Sequence, residues 1–84
     1  MNQLKYQVLL LPVSKQYPIS DVLIATRMDR LFEKNPELAI RQSIPYIKKA
    51  TDIYDEDKQN FIDKVTKGTA TERFDAFRQF LKES

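Results

Sequence analysis

The chain contains no cysteine, no histidine, no tryptophan and only one glycine. Without Cys or His it cannot build a disulfide framework, a thiolate nucleophile, a Cys/His zinc site, an imidazole base or the common haem ligands. A single Gly cannot form a phosphate-cradling loop, which needs several positions free at positive φ or open to close backbone approach. Long hydrophobic runs are also missing. The longest covers residues 8–13, whereas a membrane-spanning helix needs about 18 apolar residues. One Lys precedes that run and no small-x-small cleavage pattern follows it, so no signal peptide is read, and the chain is expected to be a complete, cytoplasmic protein with no membrane partner. Charge of one sign is scarce too. The net charge is +2, all of it within residues 1–34, and it lacks the large clustered excess of a strong nucleic-acid binder.

What is present is apolar volume for one core: 42% hydrophobic residues, with five Phe and four Tyr, in 84 residues. We therefore expect a single domain spanning residues 1–84. A chain of this size buries only about 60% of the surface its unfolded state exposes, and with no disulfide or metal to help, oligomerisation is the usual remedy. A homodimer is expected on that ground.

Periodicity predicts a mainly α domain of about four helices, residues 20–84, preceded by one strand or extended arm over residues 1–13. Leu4, Tyr6, Val8 and Leu10 alternate with Gln3, Lys5 and Gln7, the period-two pattern of a strand. A helix carrying Leu4, Val8 and Leu11 and ending at Pro12 is the competing template. Ser20 and Asp21 read as the start of a first helix over residues 21–34, with Ile19 stapled to Ile24 and a stripe of Ile24, Met28, Leu31 and Phe32 beside Ala25. Asn35 and Pro36 close it and open the next. That second region contains Pro45, yet Ile40, Ile44, Ile47 and Tyr54 hold nearly one phase, with Ala39, Tyr46, Ala50 and Ile53 alongside; a kinked helix or two short helices sharing a face are expected. Asp55, Glu56 and Asp57 begin a further helix with Phe61, Ile62 and Val65 inward and Lys64 and Lys67 before Gly68. Thr69 to Glu72 spell a capping box, followed by Ala70, Phe74, Phe77 and Leu81 with Phe80 flanking, so the chain should finish as an αα-hairpin turning at Gly68.

The candidate constellations are few. Asp55, Asp57 and Gln59 alternate as in an EF-hand loop, but the sixth position is Asn60 instead of Gly and the twelfth is Thr66 instead of Glu, so the acids are read as helix N-terminal charge with no metal and no cofactor. Arg27, Arg30 and Lys34 fall at i, i+3, i+7 and form a basic row, diluted by a Glu33–Arg30 pair; Lys48 and Lys49 add a basic pair. The rings of Phe74, Phe77 and Phe80 are read first as core and second as a partner-binding face. An isolated N-terminal strand leaves unpaired N–H and C=O groups open to another chain, which adds Tyr6 and Val8 to the candidate partner-binding residues.

A strand followed by two helices resembles, in order of elements, the ribbon-helix-helix repressors, whose paired strands place alternating polar residues in the DNA major groove. The resemblance implies Gln3, Lys5 and Gln7 as DNA readers. The sequence departs from that pattern in the six residues between Val13 and Ser20, in a Gly-free Asn35-Pro36-Glu37 turn and in the small charge excess. Catalysis would have to draw on carboxylates, Lys, Tyr, Ser and Thr, among which no pairing motif occurs, so no catalytic residue is assigned. The sequence thus points to a non-catalytic interaction or regulatory protein of the accessory or inhibitor type that binds another protein, with a dimeric DNA-binding regulator as the alternative.

Overall fold

The computed structural model describes residues 18–82, which form five helices: α1 (Pro18–Ala25), α2 (Met28–Lys34), α3 (Pro36–Lys49), α4 (Asp55–Thr66) and α5 (Ala70–Lys82). The expected strand or arm over residues 1–13 lies outside the described residues. Among the described residues there is no strand, so the body is all-α, with one more helix than the sequence pattern suggested.

The extra helix arises because the segment expected to run unbroken over residues 21–34 is divided at Thr26 and Arg27. Arg27 adopts a left-handed conformation at φ 65° and ψ 25°. Its N–H donates to the Ile24 carbonyl, and the Thr26 hydroxyl donates to the carbonyl of Val22 at 2.7 Å, so the end of α1 is satisfied locally. The reason for the break is one of phase. Leu23 and Met28 are both buried, but five residues apart on a continuous helix they would be separated by about 140° around its axis. The left-handed residue rotates α1 so that Ile19 and Leu23 face the same core as Met28 and Phe32. Ile24, expected in the core stripe, is instead 49% exposed, and Ala25 is exposed as well. The helix also starts earlier than expected, at Pro18. Ser20 therefore sits buried within the first turn instead of capping it, and with Ile19 inside and Ile24 outside the expected staple does not form.

Asn35 serves two helices: its N–H donates to the Leu31 carbonyl at 2.7 Å, ending α2, and its Oδ1 accepts from the Leu38 N–H at 3.2 Å, starting α3. Pro36 occupies the first position of α3, where its missing N–H is no loss. α3 runs continuously through Pro45, which stands exposed on its outer side. On the inner side Ala39, Ile40, Ser43 and Ile47 are buried, and the Ser43 hydroxyl donates a hydrogen bond to the Ala39 carbonyl at 2.6 Å. Tyr46 and Tyr54, expected along that inner face, are exposed, whereas Ile53 is buried.

The αα-hairpin of α4 and α5 turns at Gly68, which has φ 94°. The capping box is complete: Glu72 N–H donates to Thr69 Oγ1 at 3.2 Å and Thr69 N–H donates to the Glu72 carboxylate at 2.9 Å. Phe61 and Val65 of α4 meet Phe77 and Phe80 of α5 in the core, and α1 packs back across α5. One contiguous cluster therefore draws on every helix.

Candidate interaction surface

The aromatic stripe of α5 is largely consumed by the interior. Phe77 is fully buried, its ring stacked on Phe32 with centroids 4.6 Å apart, and Phe80 meets Phe61 edge-on at 5.0 Å. Phe74 is half-buried, edge-on to Phe32 at 5.9 Å, with the Arg73 guanidinium 5.7 Å from its ring centre. Of the three rings considered for partner binding, only Phe74 keeps part of its surface free. Tyr6 and Val8, and the DNA-reading set Gln3, Lys5 and Gln7, lie outside the described residues.

The basic row is not continuous on one helix. Arg30 and Lys34 are exposed on α2, whereas Arg27 stands in the turn that precedes it. The expected Glu33–Arg30 pair does not form. Among the described residues the ion pairs are Lys67–Asp63, Arg78–Asp75 and Arg73–Glu37, the last joining α5 to the first turn of α3 at 3.2 Å. No sequence signal marks Glu37 and Arg73 as partners, since 36 positions separate them.

Between α2 and α5 lies an open cleft of about 370 Å³, lined by Asp29, Phe32, Glu33, Pro36, Arg78 and Leu81. Its one guanidinium is already engaged, bonded to Asp75 at 2.9 Å and lying 5.4 Å from the centre of the Phe32 ring. Among the described residues no three His, Cys, Asp or Glu side chains are grouped to hold a metal ion, and no helix is long and apolar enough to cross a membrane. Asp55, Glu56 and Asp57 occupy the first turn of α4, where their charge complements the helix dipole.

The corner between α3 and α4 is where aromatic surface remains outside. Tyr46 is 43% exposed and Tyr54 58% exposed. The corner is braced: Lys58 Nζ donates to the Lys48 carbonyl at 3.0 Å, tying the first turns of α4 to the last turn of α3, and the Lys58 N–H donates to the Tyr54 carbonyl at 3.0 Å. Beneath it, Ile47 and Ile53 are buried on either side of Ala50, which fixes the path of the connection. Exposed Arg41, Lys48 and Lys49 give the outer side of α3 a positive charge that its one acid, Glu37, does not offset, being engaged with Arg73. Sequence reasoning missed these tyrosines because their spacing fits the core phase, and no local signal separates them from the neighbouring Ile47 and Ile53 that are buried instead.

Comparison with protein families, curated proteins and solved structures finds no match to this chain.

Proposed function

We propose that the protein is a non-catalytic, cytoplasmic interaction protein that acts by occupying a surface on another protein, and that it does so through the α3–α4 corner. The observation that carries this reading is the exposure of two tyrosines, Tyr46 near the end of α3 and Tyr54 just before α4, on either side of a connection braced by Lys58. Tyr supplies a large, rigid, amphipathic contact area at low entropic cost and is enriched in the energetic centres of interfaces. A corner held in place before binding also reduces the ordering cost of association.

The test is affinity capture from native host extract with the full chain as bait, beside a Tyr46→Ser/Tyr54→Ser double variant whose melting temperature is checked against the parent. A protein enriched by the parent and lost with the double variant supports the reading. Equal recovery by both baits, or recovery of nucleic acid alone with a steep salt dependence, overturns it; the second result is what a DNA-binding regulator would give.

A further inference from the structure

The turn between α1 and α2 is made without glycine. Arg27 holds φ 65° and ψ 25°, and its side chain makes no capping bond to α2. A non-glycine residue in the left-handed region is strained, and such strain persists only where surrounding contacts enforce it. The local sequence does not ask for the break: residues 21–34 contain neither Pro nor Gly and carry Ile24, Met28 and Leu31 at i, i+4, i+7. What enforces it is the burial of Ile19 and Leu23 in the same core as Met28 and Phe32.

If Arg27 became helical, residues 18–34 would form one rod about 25 Å long, and the Ile19–Leu23 side of α1 would turn roughly 140° away from the chain's own core. Those two side chains could then be buried again only against another molecule. The receptor that matches them is the groove they already occupy, on α5 and its neighbours, and a second copy of the same chain that has released its own α1 offers that groove. Ile24, half exposed in the closed form, would simultaneously fall into line with Met28 and Leu31.

We propose that Thr26 and Arg27 form a hinge at which α1 leaves its own α5, continues α2 as a single helix, and packs on α5 of a second copy, giving a domain-swapped dimer. The exchange preserves the buried contacts of α1, removes the left-handed strain from both chains, and replaces one tight turn by regular helix in each. Short strained connections are where such swaps arise. Position 27 sets the balance: Gly accepts the left-handed conformation freely and disfavours helix, whereas a β-branched residue tolerates helix far better than the left-handed region.

The experiment uses the purified full chain alone, so its outcome is independent of any partner protein. Sedimentation equilibrium from micromolar to millimolar concentration would compare the parent, Arg27→Gly and Arg27→Val. A parent that dimerises is expected, with its dimer weakened about 100-fold in Arg27→Gly, roughly tenfold for each of the two chains, and strengthened in Arg27→Val. In samples refolded from mixed ¹³C-labelled and unlabelled chains, NMR contacts between α1 and α5 should appear between copies. A parent monomeric throughout, a dimer whose α1–α5 contacts stay within one chain, or an Arg27→Gly variant with an unchanged dimer constant would each overturn the hinge. The glycine variant makes no demand on the fold and decides the matter even if Arg27→Val does not fold.

Discussion

The rings of Phe32 and Phe77 lie nearly parallel, 16° apart in plane with centroids at 4.6 Å, and join α2 to α5 across the centre of the core. Phe77 also meets Phe61 at 6.2 Å, so this one ring links three helices. Replacing either residue of the stack by Leu should cost about 1–2 kcal/mol. The double variant should lose less than the sum of the two, by about 0.5–1.5 kcal/mol, because the ring-on-ring term is lost once only. Urea denaturation of the four proteins completes the cycle, and strict additivity would show that the stack contributes only buried area.

Gly68 and Glu72 are coupled. A Cβ on residue 68 would run into Glu72 Oε1, the same oxygen that accepts the Thr69 N–H. Thr69→Ala should lower stability by about 1 kcal/mol through loss of the cap. Gly68→Ala should cost about 2 kcal/mol, since it adds left-handed strain and displaces the carboxylate together. In a Gly68→Ala background the further change Glu72→Ala should therefore cost less than it does in the parent, which thermal melts of the three variants can check.

Two buried serines should respond differently to alanine. Ser20 Oγ is buried with no hydrogen-bond partner among the described residues, so Ser20→Ala should raise stability by about 1 kcal/mol. Ser43 Oγ donates to the Ala39 carbonyl, a bond that competes with the helix ladder, and Ser43→Ala should fall within about 0.5 kcal/mol of the parent. A loss of stability in Ser20→Ala would reveal a partner for that hydroxyl.

The Arg73 guanidinium grips Glu37 through both of its terminal nitrogens, at 3.2–3.3 Å. The glutamate is about half exposed, so solvent screens the pair, and Arg73→Met should cost no more than about 0.5–1 kcal/mol. The difference between variant and parent should shrink in molar salt. A difference that ignores salt would assign the arginine's effect to the contact of its guanidinium with the Phe74 ring.

Helix ends were legible at three places where the chain carries its own boundary chemistry, and misread at Ser20-Asp21, where the helix begins at Pro18 instead. Asn35-Pro36 and the Thr69–Glu72 box fix element ends through hydrogen bonds made within a few residues, and the acids at 55–57 mark the start of α4 through their charge alone. The division of α1 from α2 was not legible, because nothing local requires it. The stripe Ile24, Met28, Leu31 and Phe32 is a good helical face, and only the competing need to bury Ile19 and Leu23 against α5 decides that Ile24 is left outside. The same holds for Tyr46 and Tyr54, whose spacing suits the core although Ile47 and Ile53 fill it first. The candidate surface was therefore hidden for the reason the fold was not: it consists of residues that lost a competition for the interior, and periodicity does not record the loser.

Most helix packing here joins neighbours in sequence, α2 with α3, α3 with α4 and α4 with α5, whereas α1 and the Phe32 ring of α2 close the described chain upon α5. Neighbouring helices come together at little cost in chain entropy, so the docking of α1 on α5 is expected to be the slow step. Mild changes in α1, such as Leu23→Val, should then accelerate unfolding while leaving the refolding rate nearly untouched. The helix that completes the core would be the last to arrive and the first to leave.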